Sequence, residues 1–325
     1  MSERVLITGA AGMIGRKLVE RLAKDGQFEE LTLHDVVQPA SSFKAKTAVS
    51  DLSAPGEAEK LIAGRPALIF HLAAIVSGEA EADFDKGYRV NLDATRQLFE
   101  AIRRAGDEYR PRVVLASSIA VFGAPFPEAI GDEFLSAPLT SYGTQKAIGE
   151  LLLSDYSRRG FFDGIGIRLP TICVRPGKPN KAASGFFSGI IREPLAGQEA
   201  LLPVPESVRH WFASPRAAIG FLMHAAELDT TKLGTRRNLS MPGVSATVGE
   251  QIEALRKVAG DQVAKLIRRE PDALIARIVS GWPQNFDARR SHELGFRADA
   301  SFEDIIRIHL QDELQKSAPP PRDLG

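Results

Sequence analysis

Tyr142 and Lys146 lie four residues apart and form the pair in this sequence with the clearest potential for chemistry. If the segment is helical, both side chains lie on the same face of the helix. An ammonium group beside a phenol favours the phenolate, so we expect the pKa of the tyrosine to fall towards working pH. A phenol tuned in this way acts as a general acid or base. Taken alone, a pair at this spacing is usually structural.

A glycine-rich run occupies residues 8–15, between an apolar strand pattern and a helical pattern. Gly9 permits a tight turn, Gly12 lets the backbone approach a pyrophosphate, and Gly15 lets helix and strand pack closely. The phosphates would lie at the helix amino terminus, where free N–H groups and the helix dipole favour anions. The spacing is GxxGxxG rather than GxGxxG, and a tight strand-to-helix loop without a ligand is the alternative.

Asp35 closes the second strand pattern, 20 residues after Gly15. A carboxylate at this position would accept hydrogen bonds from the adenosine ribose hydroxyls and repel a 2′-phosphate. After Asp35 the next cationic residue is Lys44, so the sequence favours NAD over NADP. Arg16 beside the loop leaves NADP open, and a solvated acid at a strand end is the alternative for Asp35.

Length and composition are typical of a globular protein in water, with 325 residues, 44% hydrophobic residues, 25% charged residues and a formal net charge of zero. No basic run and no long apolar run stands out, so we expect neither nucleic acid nor a membrane as a partner. The single cysteine, Cys173, excludes an internal disulfide and a multi-cysteine metal site, and we expect no metal. The strand pattern at residues 5–7 leaves no room for a signal peptide, and a cytoplasmic location is expected.

Apolar strand patterns alternate with helical patterns through the first half of the chain. Strands are predicted at residues 5–8, 31–33, 67–72, 112–116 and 164–169, and helices at 13–24, 83–105 and 142–158. Continuous apolar strands separated by helices are typical of a parallel sheet covered on both faces. We therefore expect an α/β fold, a Rossmann-like doubly wound parallel sheet with a smaller, loop-rich C-terminal substrate lobe.

The second half of the chain begins with seven prolines between residues 170 and 215, which predict loops and short elements. Helical patterns return at residues 214–228, 247–258 and 301–314. The expected division is a dinucleotide-binding domain at 1–170, to which segments near 213–240 return, a region at 171–316 that is mainly substrate lobe, and a mobile tail at 317–325.

Further residues join these motifs in an order that resembles the extended short-chain dehydrogenase/reductase family, also called the NAD-dependent epimerase/dehydratase family. The matching positions are the glycine loop, Asp35, Asp51-Leu52, Leu72-Ala73-Ala74, Asn91, residues 117–123, Tyr142, Lys146 and Arg168-Leu169-Pro170. They cover about half of the chain and are specific when taken together. The run at 168–177 and the short carboxyl lobe are similar to the sugar-acid dehydrogenases of the family.

The resemblance implies a catalytic set of four residues. Tyr142 would be the general base that removes the alcohol proton as hydride leaves for the nicotinamide, and Lys146 would hydrogen-bond the nicotinamide ribose. Ser118 would stabilise the reacting oxygen, and Asn91 would organise the surroundings of Lys146. If the resemblance does not hold, the alternative for Ser118 is a loop hydroxyl that caps a strand end. The alternative for Asn91 is a polar residue within a helix.

The resemblance also implies which residues contact the ligands. The NAD-binding set is Gly9, Gly12, Met13, Ile14, Gly15, Asp35, Asp51, Leu52, Leu72, Ala73, Ala74, Asn91, Tyr142, Lys146, Pro170 and Ile172. The substrate-binding set is Ser77, Ser117, Ser118, Tyr142, Thr171, Arg175 and Arg209. An acidic substrate needs a cation, for which Arg175, Lys178, Lys181 and Arg209 are candidates, with the two arginines favoured because their fork fits a carboxylate. The alternative is that all four are surface charges.

The implied activity is the NAD-dependent oxidation of a secondary hydroxyl of a small sugar acid, with D-erythronate oxidised to 2-oxo-tetronate as the expected reaction. An alternative is a nucleotide-sugar epimerase or dehydratase with tightly bound NAD, although Thr171 stands where many such enzymes carry Asn. A third alternative is a non-catalytic cofactor sensor, against which Ser118, Tyr142 and Lys146 argue. Relatives pair through helices like those at 84–105 and 142–158, so a homodimer is expected.

Overall fold

The computed structural model of the chain describes residues 3–26, 28–40, 44–177 and 184–314. The described strands are Glu3–Thr8 (β1), Phe28–Asp35 (β2), Lys46–Val49 (β3), Leu68–His71 (β4), Arg112–Ser118 (β5), Ile130–Gly131 (β6), Asp163–Leu169 (β7), Thr171–Ile172 (β8), Ala200–Leu202 (β9), Arg209–Ala213 (β10), Asn238–Ser240 (β11), Val244–Thr247 (β12), Ile267–Arg269 (β13) and Phe286–Asp287 (β14). The described α-helices are Met13–Asp25 (α1), Glu57–Ile62 (α2), Ser77–Ala82 (α3), Phe84–Gly87 (α4), Ala94–Arg104 (α5), Ser141–Arg158 (α6), Gly185–Leu195 (α7), Pro215–Glu227 (α8), Val248–Ala259 (α9), Asp261–Ala264 (α10), Ala273–Ser280 (α11), Arg289–Glu293 (α12) and Phe302–His309 (α13).

Seven parallel strands form the central sheet, in the order β11-β7-β5-β4-β1-β2-β3. Successive residues of β1 enter different cores, because strand side chains alternate between the two faces. Val5 and Ile7 pack with Leu18 of α1 and with α8, whereas Leu6 packs with Leu98 of α5 on the opposite face. Both faces are therefore buried, and the predicted doubly wound α/β fold is confirmed.

A smaller assembly follows the central sheet in sequence. The strands β8, β10 and β12 form a three-stranded sheet. It shares a core with α7, α9 and α13, in which Phe187, Phe212, Leu255 and Ile305 are buried. Two later elements lie with the large layer instead, since α8 packs on β5 and β7 and β11 pairs with β7. The domain boundaries proposed from the sequence remain a prediction, and the tail at 317–325 lies outside the described residues.

Two segments differ from the sequence expectation. The proline-rich stretch contains α7, an 11-residue helix with Pro194 in its last turn. Its Phe187, Ile190 and Ile191 are fully buried, so tertiary packing stabilises a helix that the flanking prolines obscured. The helix predicted over 83–105 is interrupted by a π-helical turn at Tyr88–Asp93. No helix within the described ranges is long and apolar enough to cross a bilayer.

Helix α6 packs very closely against the 3-10 turn that follows β5. Thr140 caps the helix by accepting a hydrogen bond from the Gly143 amide at 3.1 Å. A Cβ atom at position 143 would lie 2.1 Å from the Ala120 carbonyl oxygen, which no side chain tolerates. At Gly149, farther along the same helix, the nearest atom would be Thr95 Cγ2 at 3.9 Å, an ordinary contact.

These two glycines allow a matched test of the packing. We expect Gly143→Ala to destabilise the fold by about 1–3 kcal/mol, because α6 must move off the turn. Gly149→Ala should instead stabilise it by up to about 1 kcal/mol, because alanine is the better helix former. Urea unfolding of both variants measures the difference, and equal midpoints for the two variants would contradict the close packing described.

Candidate active site

The glycine loop leaves a backbone groove between β1 and α1. Gly9 has φ 76°, and a Cβ there would lie 2.6 Å from the Ala73 amide nitrogen. A Cβ at Gly15 would lie 2.2 Å from the Gly9 carbonyl oxygen. Helix α1 begins after Gly12 without a capping side chain, so no side chain takes its first amide groups. The loop therefore fits a bound pyrophosphate, as a dinucleotide cofactor would require.

Asp35 lies directly beside this loop, at the end of β2. Its Oδ2 accepts a hydrogen bond from the Ala11 amide at 2.9 Å, and its Oδ1 accepts one from the Val36 amide at 2.7 Å. Each carboxylate oxygen keeps a further lone pair for a hydroxyl donor. This placement agrees with the predicted ribose contact, which stays a prediction.

The remaining predicted cofactor residues fall into two groups. Met13, Ile14 and Leu72 are partly buried against the core, and Ala73 and Ala74 follow the end of β4. Asp51 hydrogen-bonds Ser53, which holds the pKa of its carboxyl below the usual value. By contrast, Leu52, Pro170 and Ile172 are buried. Contacts of these last three with a cofactor would have to involve mainly their backbone.

A buried hydrogen-bond chain joins the glycine loop to the π-helical turn, and sequence reasoning missed its central residue, His71. The Thr95 hydroxyl donates to the Asn91 carbonyl at 2.8 Å, so it accepts from His71 Nε2 at 2.9 Å. The Thr8 hydroxyl then donates to His71 Nδ1 at 2.7 Å. Burial lowers the pKa of His71 to about 3, so the ring stays neutral. The only available signal was a histidine at the end of an apolar strand.

Asn91 lies within the π-helical turn and holds two segments together. Its Oδ1 accepts from the Ile75 amide at 2.9 Å, and its Nδ2 donates to Gln145 Oε1 at 2.7 Å. Gln145 immediately precedes Lys146 on α6. Asn91 therefore contacts the residue that precedes Lys146, so any influence of Asn91 on the lysine acts through the position of α6.

Ser118, Tyr142 and Lys146 converge where α6 crosses the end of β5. Ser118 is close enough to the Tyr142 hydroxyl to lower the pKa of the phenol, and Ser118 Oγ accepts from the Ala120 amide at 3.1 Å. Lys146 Nζ donates to the Ala116 carbonyl at 2.9 Å and lies 5.8 Å from the centroid of the Tyr142 ring. A hydroxyl, a phenol and an amine are therefore close enough to act on one substrate.

The expected fall in the pKa of Tyr142 is wrong for the free protein. Burial raises that pKa, while the Ser118 hydrogen bond and the charge of Arg175 lower it without cancelling the effect of burial. Burial also lowers the pKa of Lys146 to about 8, against the opposing charge of Glu150. The lysine amine is directed to the Ala116 carbonyl rather than to the phenol.

Arg175 is the cation that the structure brings to this site. Its backbone is fixed by the Ser188 hydroxyl, which accepts from its amide at 3.0 Å, and by Arg192, which donates to its carbonyl at 2.8 Å. Its guanidinium acts electrostatically on Tyr142 and has no carboxylate partner among the described residues. It is therefore available to an anionic substrate.

Two other predicted substrate residues, Thr171 and Ser77, lie in β8 and at the start of α3. The Thr171 hydroxyl shares a hydrogen bond of 2.6 Å with Nε2 of the buried His210. Ser77 is the first residue of α3. Both remain predictions, and the candidate cations Lys178 and Lys181 lie outside the described residues.

The structure does not bring Ser117 or Arg209 to the site as predicted. Ser117 is 3% exposed and donates to Glu150 Oε1 at 2.6 Å, because neighbouring strand residues face opposite sides of a sheet. Arg209 lies at the far end of β10 from Thr171, donates to the Ser245 carbonyl at 3.2 Å and pairs with Glu250 at 3.2 Å. Local ion pairing, rather than a substrate, accounts for its position.

The family follows from comparison with known proteins. The model for the NAD dependent epimerase/dehydratase family matches residues 5–232. The chain belongs to this family. The match spans the glycine loop, Ser118, Tyr142 and Lys146, so the resemblance drawn from the sequence is confirmed.

Relatives match this family member over nearly its whole length. It is 50% identical over 319 residues to D-erythronate dehydrogenase of Cupriavidus necator, covering 95% of this chain and 98% of the relative. It is 40% identical over 316 residues to D-erythronate dehydrogenase of Haemophilus influenzae, covering 96% and 100%. A crystal structure described as a nucleoside-diphosphate-sugar epimerase from Agrobacterium tumefaciens has a TM-score of 0.95 and 66% identity, covering 97% of this chain and 96% of that one.

The charge of Arg175 should be measurable through the ionisation of Tyr142. In the free protein we expect Tyr142 to titrate above the ordinary tyrosine value of 10.0. Arg175→Met should move the midpoint upward by about half a pH unit or more, because a positive charge that favours the phenolate is removed. Ultraviolet absorbance titration measures this after subtraction of the Tyr142→Phe spectrum.

Arg209→Met serves as the control, because Arg209 does not act on Tyr142 in the structure. It should leave the midpoint unchanged. A midpoint below that of free tyrosine in the unaltered protein would show that the burial described here does not govern the phenol.

Proposed function

We propose that this protein is an NAD-dependent dehydrogenase that oxidises the C2 hydroxyl of D-erythronate to give 2-oxo-tetronate. The observation that carries the proposal is the convergence of Ser118, Tyr142 and Lys146 beside Arg175, whose guanidinium lacks a carboxylate partner among the described residues. Two relatives named D-erythronate dehydrogenase, matched over nearly their whole length, support the substrate.

The proton of the substrate hydroxyl passes to Tyr142. Ser118, which lies beside the phenol and lowers its pKa, would hold the reacting oxygen and stabilise the charge that develops on it. Because burial raises the pKa of Tyr142, its phenolate is scarce near neutral pH, so the oxidation rate should rise as the pH increases from neutral. Bound NAD supplies the acceptor for the hydride that leaves the same carbon.

Cofactor binding is assigned to the loop and strand ends on the other side of the site. The amides after Gly12 would bind the pyrophosphate, and the close approach of Gly9 to Ala73 keeps the floor of the groove free of side chains. Asp35 would accept from the ribose hydroxyls and disfavour a 2′-phosphate. We therefore propose NAD rather than NADP as the cofactor.

The positive charge of Arg175 supports an acidic substrate. A guanidinium fork binds a carboxylate through two parallel hydrogen bonds, which orient the substrate as well as hold it. Since the charge of Arg175 is felt by Tyr142, a carboxylate bound there would place the neighbouring hydroxyl of a 2-hydroxy acid close to the phenol.

The second candidate is a nucleotide-sugar epimerase, and the description of the Agrobacterium tumefaciens structure favours it. Two side chains of this protein argue against that substrate class. Thr171 stands where many nucleotide-sugar enzymes of the family carry Asn, and its hydroxyl shares a hydrogen bond with His210. Arg209 is paired with Glu250. Neither group is free to bind a nucleotide diphosphate in this arrangement.

Incubation with D-erythronate and NAD decides between the two candidates. The dehydrogenase produces NADH in proportion to substrate, seen as near-ultraviolet absorbance, and NADP in place of NAD should react more slowly. An epimerase would carry NAD through purification and convert a UDP-sugar without net NADH. Turnover of a UDP-sugar and none of D-erythronate would overturn the proposal.

Arg175→Met should raise the KM for D-erythronate by about tenfold or more, because a charge-assisted hydrogen bond is worth roughly 1.5–3 kcal/mol. The dissociation constant for NAD should change little, since the cofactor groove lies elsewhere. Arg209→Met is the matched control and should leave KM near its original value. Equal KM increases in both variants would remove the carboxylate-binding role assigned to Arg175.

We infer that the protein is a homodimer that pairs through α5 and α6. The proposal follows from the resemblance to relatives that pair through the corresponding helices, and Leu151 on α6, which is 70% exposed, would be covered in such a dimer. Light scattering should give twice the 35.3 kDa chain mass, and Leu151→Glu should shift the mass towards the monomer. A monomeric mass for the unaltered protein would contradict the inference.

The cytoplasmic location remains a prediction.

A further inference from the structure

A buried group of three polar residues lies behind the proposed catalytic pair. Glu150 Oε1 accepts hydrogen bonds from Ser117 Oγ at 2.6 Å and from Arg168 Nε at 2.9 Å. Its Oε2 accepts from the Arg168 guanidinium at 2.7 Å. The side chains of Glu150 and Arg168 are only 4% and 13% exposed. No step of the proposed reaction uses any of the three.

Sheet register and helix spacing bring this group next to the lysine. Ser117 lies opposite Arg168 in the β5–β7 pair. Glu150 is one helical turn beyond Lys146, so both face the same side of α6. Lys146 donates to the Ala116 carbonyl, immediately before Ser117, so α6 is attached to consecutive residues of β5 by the lysine and the glutamate.

A third contact between α6 and β5 involves the groups that are proposed to react. Ser118, the next residue along β5, is close enough to Tyr142 to lower the pKa of its phenol. Movement of α6 relative to the strand end would therefore separate the phenol from the serine as well as the amine from its carbonyl. Residues 116–118 and one face of α6 form a single rigid junction.

The charges of the group are arranged so that Glu150 can act on the lysine. A buried carboxylate needs hydrogen-bond donors, and the Arg168 fork together with Ser117 supplies them. Burial lowers the pKa of Lys146 to about 8, and the charge of Glu150 opposes that shift. The guanidinium of Arg168 is further fixed over the Phe122 ring, 4.8 Å from its centroid.

We propose that Glu150, held by Ser117 and Arg168, is a positioning residue for Lys146 that fixes the amine against β5 and keeps it protonated during turnover. The inference rests on the proposed function, because Lys146 belongs to the convergence of side chains that carries that proposal. The groups that face the amine are Tyr142 and Glu150 from α6 and the neutral His71 from the end of β4.

The test measures the ionisation of Lys146 directly in the free protein. Lysine labelled with carbon-13 at Cε gives an NMR titration for each amine, and the Lys146 signal is the one missing from Lys146→Met. Glu150→Gln keeps the shape of the side chain and removes its charge. We expect it to move the Lys146 midpoint to lower pH by about one pH unit, because a nearby opposite charge is lost.

The plateau of kcat/KM with D-erythronate should fall about tenfold in the same variant, because Tyr142 must ionise while Lys146 keeps its proton, and a loss of one pH unit from the lysine makes that combination about tenfold rarer. Glu303→Gln is the control, since it neutralises a carboxylate paired with Lys257 at 3.1 Å on the smaller lobe. It should alter neither measurement. Ser117→Ala removes one hydrogen bond but keeps the charge, so it should leave the Lys146 midpoint nearly unchanged.

An unchanged Lys146 midpoint in Glu150→Gln would overturn the proposal and leave the group as a structural ion pair. If that variant does not fold, the double variant Glu150→Gln/Arg168→Met removes both buried charges together and should shift the midpoint in the same direction. Failure to oxidise D-erythronate would overturn the proposed function alone, because the NMR midpoint needs no substrate.

Discussion

The attachment of α6 to the end of β5 is the constraint on which the candidate site depends. Gly143 lets the helix approach the turn after β5, and Lys146 then reaches the Ala116 carbonyl while Tyr142 reaches Ser118. The phenol is consequently placed by packing of the backbone rather than by flexible side chains. A general base held in this way needs little reorganisation before it accepts a proton.

Burial at this junction has two opposite chemical effects. It disfavours the charged form of each side chain in the free protein, so it raises the pKa of Tyr142 and lowers the pKa of Lys146. The same low-polarity surroundings strengthen the influence of every remaining charge. Arg175 on the substrate side and Glu150 on the interior side are charges that oppose this effect of burial on Tyr142 and Lys146, respectively.

The sequence predicted the parts of the fold that depend on local patterns, and tertiary contacts determined the rest. Strand and helix periodicity was sufficient for the doubly wound sheet, and one helical turn was sufficient to bring Tyr142 and Lys146 to one face. The partners of Glu150 could not be predicted, because they depend on the β5–β7 register. The ion pair of Arg209 could not be predicted either, because an arginine bound to Glu250 looks no different in sequence from one that awaits a substrate.

The chain from Thr8 through His71 and Thr95 to Asn91 has a fixed direction, because each hydroxyl has a defined donor role. Rotation of any one hydroxyl would leave a buried ring nitrogen or carbonyl without its partner. The end of β1 beside the glycine loop and the segment bearing Asn91 therefore cannot move apart without breaking one of these buried hydrogen bonds.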